Sequence, residues 1–198
     1  MSSSPEEYEL IVKESISVPG ECDIYSFISK KTGAKVFQVS RKKENKFFSL
    51  LRKTHFDSII PFEYSFRNYE NKEVFKLKKT FSVGRMIVEI TDVDNKIIGF
   101  LTQPFPTWKT KLLVRDIHGK IMAKISGNLF KWIFKIYDND KNILAEFYKL
   151  HGKLVEELLI STGDYSLKIY NDNLNNNLLG KIIPATIVCI DLFYRKHR

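Results

Sequence analysis

One short pattern recurs three times in the middle of this chain, at residues 92–99, 116–123 and 138–145. Each copy runs through an Asp, a polar turn, a basic residue or Asn, two apolar residues and a Gly or Ala. The leading residues Asp92, Asp116 and Asp138 set a period of 22 to 24 residues. An Asx side chain hydrogen-bonds the backbone two residues on, and Gly or Asn accepts a positive φ, so each copy reads as a hairpin turn. The flanks agree, because Met86, Val88 and Ile90 alternate before the first turn, Leu112 and Val114 before the second, and Phe134 and Ile136 before the third. A weaker fourth copy spans 172–180 with a longer Asn-rich turn. Repeated hairpins require a meandering antiparallel sheet, and such a sheet must bury one face.

The remaining chain is read around that meander. Residues 1–20 form a flexible N-terminal arm with a first strand over 10–18, and Pro19-Gly20 breaks it from a single domain over 21–198. Residues 24–28 and 36–39 flank Lys30-Lys31-Thr32-Gly33 as a further hairpin. The stretch 47–69 has mixed periodicity and leaves open one or two strands or a short helix. Residues 103–107 and Ser126-Gly127-Asn128 are expected to link hairpins, with further strands over 154–160 and 165–169. From Ile182 to Tyr194 the chain is apolar on nearly every side, which predicts a helix over about 182–195 with Pro184 in its first turn and Arg195 to Arg198 at the negative end of its dipole. That apolar run covers roughly 20 Å, short of a hydrocarbon core of about 30 Å, so enclosure by the sheet is the better expectation.

Hydrophobic content of 43 % with 15 Phe and 9 Tyr excludes global disorder. The formal charge of +9 favours anionic partners, against the plainer reading of a solubilising Lys-rich surface. Positive charge is densest over 30–53, and Cys22 and Cys189 supply neither a disulfide framework nor a metal cluster. No apolar segment follows the start as a signal peptide would, so an intracellular, cytoplasmic protein is expected, peripheral to a membrane if bound to one.

Hairpins followed by a terminal apolar helix resemble the superfamily of tubby C-terminal domains, phospholipid scramblases and LURP-one-related proteins. The likeness rests on residues 95–103 (NKIIGFLTQ), on Lys149-Leu150-His151-Gly152 and on Ile190-Asp191-Leu192-Phe193-Tyr194. It covers residues 24–194, more strongly after about Phe81. It implies a mainly β fold, a closed antiparallel barrel of about twelve strands enclosing the hydrophobic C-terminal helix. Departures are equally plain. The Pro-rich arm and acylated Cys cluster of scramblases are missing, and their calcium segment retains Asp172 as its only carboxylate within 170–175. A hard cation takes six to eight oxygens, so strong calcium binding is not expected. The chain looks nearer to compact LURP-one-related and bacterial tubby-like members.

For catalysis the residues offer little. His55, His118, His151 and His197 read as solvated side chains, and no nucleophile elbow, Gly-rich phosphate loop or helical His pair is present. The expectation is a protein that is not an enzyme, with no cofactor and no metal. Asp191 is expected to find a partner inside the barrel or to emerge at its mouth, because a buried unpaired carboxylate is costly. Trp108 and Trp132, beside Lys109, Lys111 and Lys131, form either an interfacial patch or, more simply, a core Trp and a loop Trp. The candidate lipid- or anion-binding residues are Arg41, Lys42, Lys43, Lys46, Lys109 and Lys111. Expected partners are anionic membrane lipids, phosphoinositides among them, or a protein. Lipid scrambling and nucleic-acid binding are the rival readings, the latter lacking any stacking platform.

Overall fold

The computed structural model describes residues 8–15, 24–42, 60–80, 86–104, 111–128, 130–150, 164–170 and 178–194. The strands are β1 (Tyr8–Ser15), β2 (Ile24–Ser29), β3 (Lys35–Arg41), β4 (Phe62–Asn68), β5 (Glu73–Lys79) and β6 (Ile87–Thr91). They continue as β7 (Ile97–Thr102), β8 (Lys111–Arg115), β9 (Ile121–Asn128), β10 (Ile133–Tyr137), β11 (Ile143–Lys149) and β12 (Tyr165–Ile169). One helix, α1 (Leu178–Tyr194), follows. Every strand pairs antiparallel with its sequence neighbours, and β1 pairs with β12 to close a twelve-stranded barrel.

Period-2 alternation decides which side chains line the barrel. Leu10 and Val12, Tyr64 and Phe66, Phe75 and Leu77, Val88 and Ile90, and Phe134 and Ile136 all join one buried cluster with the helix. Closure sets Leu10 against Leu167 and Val12 against Tyr165. Residues 182–191 of α1 are all buried, which is nearly three turns with no exposed side, so the sheet surrounds the helix. The expectation of a helix inside a closed sheet is met.

The turns follow one recipe. Asp92 Oδ1 accepts from the amides of Asp94 and Lys96, at 3.0 and 2.9 Å. Asp116 Oδ1 accepts from His118 and Lys120, both at 2.9 Å, and Asp138 Oδ1 from Asn142 at 2.8 Å. The fourth position of each turn has positive φ, at Asn95 (62°), Gly119 (81°) and Lys141 (69°). A register shift follows in each hairpin, so every turn carries a bulge. Asn68, with Asn71 at φ 60°, builds the same turn between β4 and β5, a copy the repeat did not reveal.

Several boundaries differ from expectation. The helix begins at Leu178 rather than 182, so Pro184 lies in its interior, where its ring supplies no N–H. Thr186 Oγ1 donates back to the carbonyl of Ile182 at 2.8 Å. Leu178-Leu179-Gly180, read as the end of a fourth hairpin, is the first turn of α1. Ser126-Gly127-Asn128 is strand rather than linker, and Gly127 lets the Phe134 ring approach to where a Cβ would lie 2.1 Å from it. Within the expected arm, β1 is a full stave of the barrel. The expected strand over 154–160, most of the stretch 47–69, and Arg195 to Arg198 lie outside the described residues.

Strand parity gives the barrel two unlike rims. The turns at 30–34, 69–72, 92–96, 116–120 and 138–142 share one end, called here the turn rim. The connections after β1, β3, β5, β7, β9 and β11 all leave from the opposite end, the loop rim. Helix α1 enters from the turn rim, where Leu178 and Ile182 meet Gly99, and runs toward the loop rim, where Asp191 meets Tyr25 and Tyr165.

Candidate functional site

The polar chemistry inside the barrel gathers toward the loop rim. Asp191 is 0 % exposed and accepts from Tyr25 Oη at 2.7 Å and Tyr165 Oη at 2.5 Å. It therefore pairs inside, as the cost of burial demanded, and neutral phenols are among its partners. The Arg41 guanidinium turns inward and lies 5.9 Å over the Tyr64 ring. Lys79, 2 % exposed, donates from Nζ to the carbonyls of Ile60 and Thr80, each at 3.4 Å. Cys189 is fully enclosed, and burial pushes its thiol well above the usual range, which leaves it an inert core group. Among the described residues no cluster of His, Cys, Asp and Glu could hold a metal ion. The hairpin Asp residues are engaged by backbone amides at the turn rim, and His118 stands exposed in its turn.

The basic residues singled out from the sequence are distributed around the loop rim. Arg41 ends β3 and Lys42 follows it, exposed, with Nζ 3.3 Å from Glu63. Lys111 opens β8 and is exposed. β3 and β8 stand five strands apart around the barrel, about 24 Å at the usual strand spacing. The rim thus brings Arg41 and Lys42 together, with Lys111 almost across the opening. Lys43, Lys46 and Lys109 lie outside the described residues, as do Trp108, Cys22, Asp172, His55, His151 and His197. Trp132 packs into the core against Phe134 and Tyr165, the simpler of its two readings.

A second basic region emerges from the fold. Residues 111–137 carry Lys111, Arg115, Lys120, Lys124, Lys131 and Lys135 against the single acid Asp116, which sits at the turn rim. The three adjacent staves β8, β9 and β10 therefore contain no acidic residue. Counting charge along this segment would have found it. Counting local density favoured 30–53 instead. The β9–β10 turn at the loop rim also presents Phe130, 99 % exposed, next to exposed Lys131.

A closed twelve-stranded antiparallel barrel packed around its own C-terminal helix defines the class of fold to which the described residues belong. It is similar in fold to the X-ray structure of a protein from Arabidopsis thaliana, with a TM-score of 0.54, 16 % identity, and coverage of 95 % of this chain and 91 % of that one. No protein-family model and no curated protein sequence matches the chain. No helix among the described residues is long and apolar enough to cross a membrane.

Proposed function

We propose that this chain is a non-enzymatic barrel of the tubby C-terminal-like kind, on the scramblase and LURP-one-related side, that docks peripherally on anionic phospholipid surfaces through its loop rim. The observation that carries this reading is the placement of exposed basic side chains, Lys42, Lys111 and Lys131, around one rim of a chain with net charge +9. The helix supports it from inside, because a lumen packed with Ile182, Ile187 and Ile190 leaves ligand recognition to the exterior. A basic side chain near an anionic membrane contributes about 1 kcal/mol, so removing two weakens binding roughly thirtyfold.

Sedimentation with phosphatidylserine vesicles tests the proposal. Binding is expected to fall steeply as salt rises, because screening shortens to a few ångströms near 1 M. The double substitution Lys42→Ala with Lys111→Ala is expected to produce that thirtyfold loss. Salt-resistant association together with lipid flip-flop in reconstituted vesicles would favour scrambling instead. That activity would require α1 to leave the barrel and expose Asp191 to hydrocarbon, at a cost the peripheral reading avoids.

A further inference from the structure

We infer that the β9–β10 turn is a bilayer-inserting wedge, with Phe130 as the residue that enters the acyl region. The inference rests on the membrane-docking reading and adds the contact that reading leaves unspecified. Phe130 is 99 % exposed, against 8 % for Trp132 two residues later, so the turn sorts two aromatics to opposite environments. The sorting is built into the backbone. Asn128 Oδ1 accepts from the amides of Phe130 and Lys131, at 2.9 and 3.2 Å, capping the turn. Trp132 adopts φ +48°, a conformation that strains a bulky L-residue, while its indole packs against Phe134 and Tyr165. The strained, buried Trp132 ties the end of the turn to the core, and Phe130 stands exposed two residues before it.

The surroundings select an anionic bilayer as the occupant. Ile133, 40 % exposed, lies on the outer face just inside the rim, with Lys131 two residues before it in the turn and Lys111 two staves away on β8, near the same rim. Those staves carry no carboxylate, so nothing on them repels an anionic headgroup layer. A convex aromatic point beside cations suits the interface, where a ring enters the acyl boundary and ammonium groups stay at headgroup level. A folded protein partner would instead need a complementary pocket and a broader apolar surface around the ring.

The test compares the full-length chain with Phe130→Ser and Tyr69→Ser on mixed phosphatidylserine–phosphatidylcholine vesicles at low and high salt. Tyr69 is a second exposed aromatic, at the turn rim, and serves as the control. Phe130→Ser is expected to weaken vesicle binding about tenfold or more at both salt concentrations, with an unchanged melting temperature. Tyr69→Ser is expected to bind as the unsubstituted chain does. If the unsubstituted chain binds and Phe130→Ser binds within twofold of it, the wedge is wrong while electrostatic docking stands. If the unsubstituted chain ignores anionic vesicles, both readings fall. Self-association abolished by Phe130→Ser, without vesicle binding, would assign the ring to a second copy and overturn the wedge.

Discussion

Asp191 receives phenolic hydrogen bonds from Tyr25 and Tyr165 in a place where water does not compete, and those two tyrosines sit on β2 and β12, either side of β1. A single carboxyl on the helix thus ties it to both flanks of the closing stave. Leaving a buried donor without its acceptor costs more than replacing donor and acceptor together with apolar groups of similar shape. Asp191→Ala is therefore expected to destabilise by about 3 kcal/mol, read as a lower urea midpoint at constant slope. Asp191→Leu combined with Tyr25→Phe and Tyr165→Phe should recover most of that loss. Equal losses in the single and triple variants would show that these bonds do not carry the effect. The contacts join residues 166 and 26 positions apart, so no local pattern announces them.

At the scale of elements, the hairpin turns are where sequence and structure agree best, because Asx-turn chemistry is complete within five residues. Asp92, Asp116 and Asp138 all perform the turn role expected of them. The Asn68 turn lies outside the Asp-led repeat because Asn replaces Asp there, although the geometry is the same. The third turn departs from its siblings in one respect. Lys141 occupies the left-handed position, φ 69°, that Asn71, Asn95 and Gly119 fill elsewhere. An L side chain there costs about 1–2 kcal/mol, partly offset by the backbone freedom a glycine loses on folding. Lys141→Gly is expected to stabilise by roughly 0.5–1 kcal/mol, seen as a higher melting temperature, and a destabilised variant would refute the turn assignment. The helix boundary was less legible. Pro184 reads locally as a first-turn residue, and packing of Leu178 and Ile182 beneath Gly99 extends the helix about one turn earlier.

The whole molecule depends on a seam that no neighbouring sequence specifies. Glu9 on β1 accepts from Ser166 on β12 at 2.7 Å and from Lys30 beyond β2 at 2.9 Å, so one carboxylate spans the closure. Burial alone pushes Glu9 up, but the hydrogen bonds from Lys30 and Ser166 and the charges of Lys30 and Lys168 outweigh it, holding Glu9 below the ordinary 4.5. As pH falls, the unfolded chain takes up the proton first. The contribution of Glu9 is therefore full above about 4.5 and disappears as pH drops through the depressed folded value. Glu9→Gln should flatten this part of the acid limb in pH-dependent unfolding, and an acid limb identical to that of the unsubstituted chain would argue against the seam.

By itself the sequence determined the hairpins of the repeat, the inward faces of the strands flanking them, the turn chemistry and an apolar helix, because each depends on residues a few positions apart; β4, β5 and the end of β9 took their strand form from the closed sheet. It also marked Lys42 and Lys111 as basic. Their common rim follows from strand parity in the closed barrel. The sorting of Phe130 and Trp132 was likewise tertiary. Both are large aromatics in one five-residue stretch, and only the Asn128 cap, the positive φ of Trp132 and the waiting rings of Phe134 and Tyr165 decide which turns inward and which faces solvent.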